Sequence, residues 1–488
     1  MKKKLIYMAV LGFVVKSIAA CTKNFEDINT NPNDPTEAPL TTVLSYVLQD
    51  HAGQFYNTWG DMNEPSTYAG HLAKHAYIDE SRYVFRPNVV ENMWTISSRE
   101  LKNLDIIMTR ADEVEGGAVN MKAVAMATQG MIWMVATDRW RDLPFTEALQ
   151  GDEGVISPAY TTQEEIYPAI LAQLKEAATL MNQNAGDALG AGDILFNGDM
   201  TKWKKFTNSL RLRAAIRISD VAPDLAKQHI EEIAGDPGTY PIMESNDDNA
   251  LIWWPGSAPY QEPWQADAGA RDDYSMGIYL INELKNLDDP RLSVYAKPGS
   301  DGEYRGYPIG PKEDDAKGWD DGLYSRIGSR FRDNAAGFSP FMRASEVYFI
   351  LAEAAEKGWS VGVSAEDAYN KAMTLSLQEN GVAAADIATY LAGNGSYDGD
   401  LETIYLQKWI ALFKNGQEAW AESRRTDVPQ MDAADGSPYP GHNRPPFRYP
   451  YPTSETQLNE TNSEQYVAEV DDNFWGKQMW WDTRTGVQ

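Results

Sequence analysis

Apolar residues recur along most of the chain at the three- and four-residue spacing of amphipathic helices. The clearest helix is predicted over residues 341–357, where six apolar side chains share one face. They are Ala344, Val347, Tyr348, Leu351, Ala352 and Ala355. We expect Glu346, Glu353 and Glu356 to point away from this face. The next periodic stretch, residues 364–379, is predicted to form the antiparallel partner of this helix.

The same spacing predicts further helices that follow one another in pairs. The pairs span residues 91–114 with 119–138 and 162–184 with 199–219, and a last single helix is predicted from 401 to about 423. Asn415 and Gly416 weaken the middle of the last helix, so a kink or break is predicted there. Repeated helix pairs of about 35–45 residues indicate a tetratricopeptide-like stack. We therefore predict a mainly α protein, with residues 40–488 as one domain.

Residues 236–340 interrupt this pattern, because they are rich in Gly, Asp, Pro and aromatic residues and only 276–286 is plainly helical. Long loops in a compact protein are usually functional or disordered, and the many aromatic residues here argue against disorder. Five aromatic residues fall within 22 positions of this region: Trp253, Trp254, Tyr260, Trp264 and Tyr274. Aromatic faces in Pro- and Gly-rich loops suit stacking on sugar or peptide groups. We predict these five as ligand-binding residues; packing between the loop and the helices is the alternative.

The formal net charge of −28 narrows the choice of partners. Such an acidic surface repels phosphate backbones, so we expect no nucleic-acid binding. It also disfavours electrostatic adhesion to anionic lipids.

The N-terminus has the features of a bacterial lipoprotein. Residues 1–20 contain a lysine-rich start, a short apolar run and small residues, as in a secretory signal peptide. Cys21 follows at once and is the only cysteine, which resembles a lipobox, so we predict that it is lipidated. An ordinary signal peptide is the alternative, and the apolar run is about half of the ~20 residues that a spanning helix needs. Residues 21–39, rich in Asn and Pro, are predicted to form a flexible tether.

The familiar catalytic motifs are missing from the sequence. It has no G-x-S-x-G, P-loop or G-x-G-x-x-G pattern. His71 and His75 stand four residues apart, but Leu72 replaces the glutamate of a zinc protease. With 71 acidic residues, spacing alone cannot nominate a glycosidase carboxylate pair. We therefore predict no catalytic residue, no metal site and no cofactor, while a lipid-anchored glycosidase or peptidase stays open as the alternative.

Eight stretches stand out along the chain: residues 25–33, 193–199, 203–206, 208–213, 289–292, 344–354, 407–426 and 448–452. Together and in this order, they resemble the SusD/RagB family of outer-membrane nutrient-binding lipoproteins, in particular its SusD-like branch. The strongest is 407–426, QKWIALFKNGQEAWAESRRT.

The resemblance implies four tetratricopeptide-like helix pairs that carry a loop-rich ligand-binding face. It also implies display on the outside of the outer membrane, beside a SusC-like TonB-dependent transporter. The chain is then expected to capture an oligosaccharide, or less readily a peptide, and to deliver it to that transporter. A purely structural subunit of the transporter complex is a further alternative. The matching motifs imply the fold, but they identify no ligand-binding residue.

Overall fold

The computed structural model describes residues 38–488 except 115–116, 183, 186, 188, 270 and 317–321. The described residues form nineteen α-helices, which we number α1 to α19. They are α1 Leu40–Gln54, α2 Pro65–Tyr68, α3 Pro87–Glu113, α4 Val119–Trp140, α5 Gln163–Leu180, α6 Met200–Arg217, α7 Pro223–Gly235, α8 Pro263–Ala268, α9 Ile278–Asn286, α10 Leu292–Tyr295, α11 Glu313–Ala316, α12 Ser329–Arg332, α13 Ala344–Glu356, α14 Ala365–Glu379, α15 Ala384–Leu391, α16 Leu401–Ala411, α17 Gly416–Thr426, α18 Thr453–Leu458 and α19 Glu460–Val467. The predicted mainly α class is confirmed.

The strands of the described residues are short and form four antiparallel pairs. They are β1 Leu72–Lys74 with β3 Tyr274–Met276, β2 Ala250–Trp253 with β6 Phe338–Met342, β4 Ala296–Lys297 with β5 Arg326–Ile327, and β7 Val470–Asp471 with β8 Trp475–Gly476. Three of these pairs bring the loops of the central region together, and the fourth is a hairpin near the C-terminus.

The helices pack as the sequence pairs predict. Contacts join α3 to α4, α5 to α6 and α13 to α14, which are the predicted pairs. In addition, α16 contacts α17, and α13 packs against α6 and α16. Trp203, Trp409 and Trp420 are at most 1% exposed in this core. Burying aromatic rings of this size provides much of the apolar area that stabilises such a stack.

Two details of the helix predictions were wrong. The helix predicted over 341–357 begins at Ala344, because Phe341 and Met342 belong to β6 and pair with β2. Glu346 and Glu353 are buried, although we expected them to face away from the core. In contrast, the break predicted near Asn415 is present: α16 ends at Ala411, and Lys414 has a left-handed φ of 71°.

Buried ion pairs explain the two misplaced glutamates. Arg425 donates to both oxygens of Glu353, at 2.6 and 2.7 Å, and Arg213 donates to both oxygens of Glu346 at 2.6 Å. A buried carboxylate is tolerated when it is paired and hydrogen-bonded in this way. The partners lie on α6 and α17, far along the sequence, so helical periodicity could not reveal them.

Among the described helices, none combines the length and the apolar character that crossing a membrane requires. The predicted signal peptide, the predicted lipidation site Cys21 and nearly all of the predicted tether lie outside the described residues.

Candidate functional site

Two of the five predicted ligand residues present their rings to solvent. Trp253, at the end of β2, is 59% exposed, and its ring lies tilted against that of Phe338, at 5.2 Å between ring centroids. Tyr260 is 50% exposed in the loop that follows. This loop is a tight turn, in which the N–H of Gly256 donates to Tyr260 O (3.1 Å) and the N–H of Tyr260 to Ser257 O (2.7 Å). Both rings are therefore held by local backbone structure and are accessible.

The other three predicted residues belong to the core. Trp254 donates through Nε1–H to Ser339 Oγ (3.0 Å), and Tyr274 donates through its hydroxyl to Asn63 Oδ1 (2.5 Å). Trp264 is fully buried. These three residues pack between the loops and the helices, as the alternative interpretation proposed. Only Trp253 and Tyr260 remain predicted ligand contacts.

Trp264 connects the loop after β2 to a turn that carries a second exposed tryptophan. Its Nε1–H donates to Asp61 Oδ2 (3.2 Å), and Asp61 belongs to the π-helical turn Thr58–Met62. Asp267 of α8 accepts a hydrogen bond from Thr58 Oγ1 (2.7 Å) in the same turn. This turn carries Trp59, which is 43% exposed.

The conformation of this turn is fixed by short polar contacts. Asn57 Oδ1 accepts from the backbone N–H groups of Trp59 and Gly60, both at 2.8 Å. Gly416, the first residue of α17, packs so closely that a Cβ there would collide with Asp61. The indole of Trp59 is therefore presented by a rigid support.

Trp59 forms one wall of a hollow of about 560 Å³, which we call the Trp59 hollow. Its lining residues are Trp59, Phe85, Arg86, Pro87, Asn88, Val89, Asn92 and Met93. The guanidinium of Arg86 lies 5.9 Å from the centre of the Trp59 ring. Asn88 and Asn92 are exposed one turn apart at the start of α3. The hollow thus combines an accessible aromatic ring with a cation and two amides.

Arg86 is oriented by acidic neighbours. Its Nε lies 2.6 Å from Glu80 Oε1, and its Nη2 lies 3.5 Å from Asp79 Oδ2. Glu80 is also bound by Lys74 Nζ at 2.7 Å. The Arg86 side chain is 38% exposed, and a guanidinium carries five N–H donors, more than these two acids engage.

The loop before Arg86 carries a fourth exposed ring. Tyr77 is 68% exposed, and the guanidinium of Arg271 lies 4.1 Å from its ring centre. Arg332 donates to Asp267 Oδ2 (2.8 Å) and to Arg271 O (3.3 Å) and so joins this position to α8. We name the loops that carry Trp59, Tyr77, Trp253 and Tyr260 the aromatic loops.

Buried acids lie beneath the Trp59 turn. Burial raises the pKa of Asp61 to about 6, against hydrogen bonds from Ser66 and Trp264 that lower it. Burial likewise raises the pKa of Glu64 to about 7, and the hydroxyl of Tyr449 donates to this carboxyl. Burial lowers the pKa of Lys414, whose ammonium donates to Glu262 Oε1 (2.8 Å) and sits 4.3 Å from the centre of the Trp264 ring. These groups hold the turn and are shielded from solvent.

The histidines of the sequence motif do not form a pair. His71 is fully buried, with Nε2 3.0 Å from Trp409 O, and burial lowers its pKa to about 3. His75, at the opposite end of β1, is only partly buried, and its Nδ1 lies 3.1 Å from Ser275 Oγ. Within the described residues, one group could hold a metal ion: His442, Asp471 and Asp472.

Trp59, Tyr77 and Arg86 are candidate-site residues that the sequence did not lead us to predict. Trp59 stands in Asn57-Thr58-Trp59-Gly60-Asp61, a polar and Gly-containing segment after a helix. Residues 253–274, which we predicted to bind ligand, have a similar composition. An aromatic residue in a polar, Gly-containing loop could therefore have identified Trp59 as a candidate.

Comparisons with known proteins agree on one family. The family model SusD-like_2, described as "Starch-binding associating with outer membrane", matches residues 32–452. A solved chitin-binding protein is 25% identical over 91% of this chain and 100% of its own, with a TM-score of 0.78. A chitin-binding SusD homologue from Flavobacterium johnsoniae is 24% identical over 91% of this chain and 97% of its own, with a TM-score of 0.74. A SusD-like protein from Bacteroides thetaiotaomicron is 23% identical over 92% of this chain and 100% of its own, with a TM-score of 0.78. No protein of curated function matches the sequence.

Proposed function

We propose that this chain, which belongs to the SusD-like family, is a surface lipoprotein that binds a neutral oligosaccharide at the aromatic loops. It then delivers the sugar to a SusC-like TonB-dependent transporter. The chain performs no catalysis in this account. Binding and release are its whole contribution.

The observation that carries this proposal is the Trp59 hollow. Its volume of about 560 Å³ lies within the range of about 300–1,000 Å³ usual for small-molecule sites. Trp59 offers an apolar face for the C–H side of a sugar ring. Arg86, Asn88 and Asn92 offer donors and acceptors for its hydroxyl groups.

The net charge of the chain and the proteins similar to it both support a neutral glycan as the ligand. A chain with a net charge of −28 repels anionic polymers, which favours neutral glycans. The family description names starch, and two structural neighbours are named as chitin-binding. Starch and chitin are both neutral polysaccharides, so a neutral oligosaccharide is the ligand class that these observations share.

The rigidity of the site favours affinity. Because Asn57, Trp264 and Gly416 fix the turn under Trp59, little conformational entropy is lost when a ligand binds. Trp253 and Tyr260 offer two further accessible rings for stacking on sugars.

Isothermal titration calorimetry of the soluble chain, starting after Cys21, tests the proposal. The titrants are maltooligosaccharides, chitooligosaccharides and a set of short peptides, and the products are analysed after long incubation. We expect binding of a neutral glycan without cleavage. Cleavage of the bound glycan or peptide would establish the enzyme alternative. Absence of any ligand, together with a stable complex with the transporter, would establish a structural subunit.

Lipidation of Cys21 supplies the membrane attachment in this proposal. Changing Cys21 to Ala should release the protein from the outer membrane and impair uptake, because the acyl chains are then lost. Ligand binding by the purified variant should be unchanged. Cell fractionation in a strain that lacks the transporter checks this, and a variant that remains membrane-bound there would contradict it.

A further inference from the structure

The Trp59 hollow has an apolar floor and a polar rim. Val89 and Met93 line the hollow although they are only 9% and 1% exposed, so they lie at its bottom. Asn88 and Asn92 line it from exposed positions and so form part of its rim. A ligand in the hollow therefore meets two chemically different surfaces at once.

The first two turns of α3 produce this division. Val89 and Met93 stand four residues apart, so they share one face of the helix and lie about 5–6 Å from each other. Asn88 and Asn92 repeat the same spacing. Each asparagine directly precedes its apolar neighbour, which rotates the amide row by about 100° around the helix axis from the apolar row. The helix backbone thus fixes a row of amides beside a row of apolar side chains.

Phe85 adds an aromatic ring to the apolar part of the hollow. It is partly buried, and its ring meets the buried Phe474 edge-on, with 5.8 Å between ring centroids and 79° between the planes. The side chains of Phe85, Val89 and Met93 offer no N–H or O–H donor and no strong acceptor. A hydroxyl group pressed against them would lose its water without gaining a side-chain partner, which costs free energy.

We propose that the Trp59 hollow selects sugars that carry an N-acetyl group, whose methyl enters the floor while its amide reaches the rim. This selectivity rests on the proposed glycan function and specifies the sugar. The amide of an acetamido group has one N–H donor and one carbonyl acceptor, and the side-chain amides of Asn88 and Asn92 supply both kinds of partner. The methyl group needs no hydrogen bond and gains free energy by leaving water. Glucose has a hydroxyl at this position, which suits the rim and not the floor.

Arg86 favours the acetylated form of such a sugar over the free amine. Its guanidinium lies 5.9 Å from the centre of the Trp59 ring, so it borders the surface on which a sugar would stack. A guanidinium donates hydrogen bonds and accepts none. It therefore suits the carbonyl oxygen of an acetamido group and offers no acceptor to the ammonium of a deacetylated sugar.

Calorimetry with three matched trisaccharides tests the proposal on the soluble chain. The β-1,4-linked trimers of N-acetylglucosamine, glucose and glucosamine differ only at carbon 2, where they carry an acetamido group, a hydroxyl and an ammonium. We expect the acetylated trimer to bind at least about tenfold more tightly than the glucose trimer, which is the discrimination that one small apolar group in a fitted pocket supplies. Equal or tighter binding of the glucose trimer would overturn the proposal, and so would tighter binding of the glucosamine trimer.

Failure of this selectivity can be distinguished from failure of the proposed glycan function. If glucose oligosaccharides bind as well as the acetylated trimer, and Trp59→Ala weakens both, the glycan function stands and the selectivity alone is wrong. If no neutral oligosaccharide binds, both are wrong.

A matched pair of variants locates the methyl group. Val89→Thr and Val90→Thr each exchange one methyl for a hydroxyl at a buried position of α3, but only Val89 lines the hollow. Val89→Thr should reduce the preference for the acetylated trimer by roughly threefold or more, because the floor then carries a polar group. Val90→Thr should keep the full preference. An unchanged preference in folded Val89→Thr, or an equal loss in both variants, would overturn the assignment of the floor.

Asn92→Ala tests the rim at an exposed position, where the fold does not depend on the side chain. Loss of one hydrogen bond should weaken binding of the acetylated trimer by about two- to tenfold. The glucose trimer should lose less. The same proportional loss for both trimers would show that Asn92 does not recognise the acetamido group and would overturn the assignment of the rim.

Discussion

The helix stack and the aromatic loops use arginine and aromatic residues in opposite ways. In the stack, Arg425 is buried between Glu353 and Glu422, and every one of its charged contacts lies inside the protein. In the loops, Arg86 lies beside Trp59, and its side chain is 38% exposed. The same residue types therefore serve rigidity in one region and remain available for a ligand in the other.

The two regions meet at Trp264. It is buried like the stack residues, yet its indole N–H holds the turn that presents Trp59. Substitutions in the stack should therefore cost stability, those at exposed loop positions should cost binding, and a change at Trp264 should cost both.

Removal of a stack arginine should have the largest effect. Arg425→Ala leaves Glu353 and Glu422 buried without their shared partner and should destabilise the protein by about 3–5 kcal/mol. Arg99→Ala is the control, because its pair with Asp50 is exposed and is worth about 0–1 kcal/mol. Urea unfolding measures both. Equal losses of stability would show that the buried pair is no more important than a surface pair.

Trp264→Ala should affect both regions. Loss of a fully buried tryptophan costs about 3–5 kcal/mol, and the hydrogen bond to Asp61 disappears with it. Glycan affinity of the folded variant should also fall, since the turn under Trp59 loosens. Calorimetry well below the melting temperature measures the affinity. Wild-type affinity in a destabilised variant would mean that Trp264 supports the core alone.

Trp59→Ala should separate binding from stability. We expect a loss of about 2 kcal/mol in glycan binding, roughly thirtyfold in Kd, with little change in unfolding, because the ring is 43% exposed. Ile194→Ala is the control, because its exposed side chain follows Gly192, which packs against Thr41 at the start of α1. The Trp59 turn follows the other end of α1, about 20 Å along the helix axis at 1.5 Å per residue. A stability loss as large as that of Trp264→Ala would contradict this division.

The smallest effect concerns pH. Glu64 has an ordinary pKa of 4.5, and burial raises it to about 7 in the folded protein. Between these values the folded state binds more protons than the unfolded state, so this group stabilises fully below pH 4.5 and loses its contribution as the pH rises through about 7. Glu64→Gln should therefore flatten the fall in stability between pH 4.5 and 7. Parallel stability curves for the variant and the wild type would show that Glu64 does not titrate there.

The helices were predictable from sequence because their spacing is a local property. Residues 344–356 carry enough apolar positions to define α13, but the burial of Glu346 and Glu353 depends on arginines of α6 and α17. No local pattern contains that information. The start of α13 was mispredicted for the same reason, because Phe341 belongs to β6 and pairs with β2, which is distant in sequence.

The candidate site was only partly predictable. Residues 253–274 were recognised as an aromatic cluster, but all five residues share a Pro- and Gly-rich context that does not separate Trp253 from Trp264. Their exposure is decided by what packs on them, such as Lys414 on the Trp264 ring. Trp59 was missed because its hollow is completed by the start of α3, about thirty residues later.

A crystal structure of the chain with the neutral oligosaccharide that binds best tests the central claim most directly. We predict a sugar ring stacked on Trp59, with hydroxyl groups hydrogen-bonded to Arg86 and to Asn88 or Asn92. A sugar bound elsewhere, for example in the groove between Trp94 and Trp133, with the face of Trp59 left uncovered, would contradict this prediction.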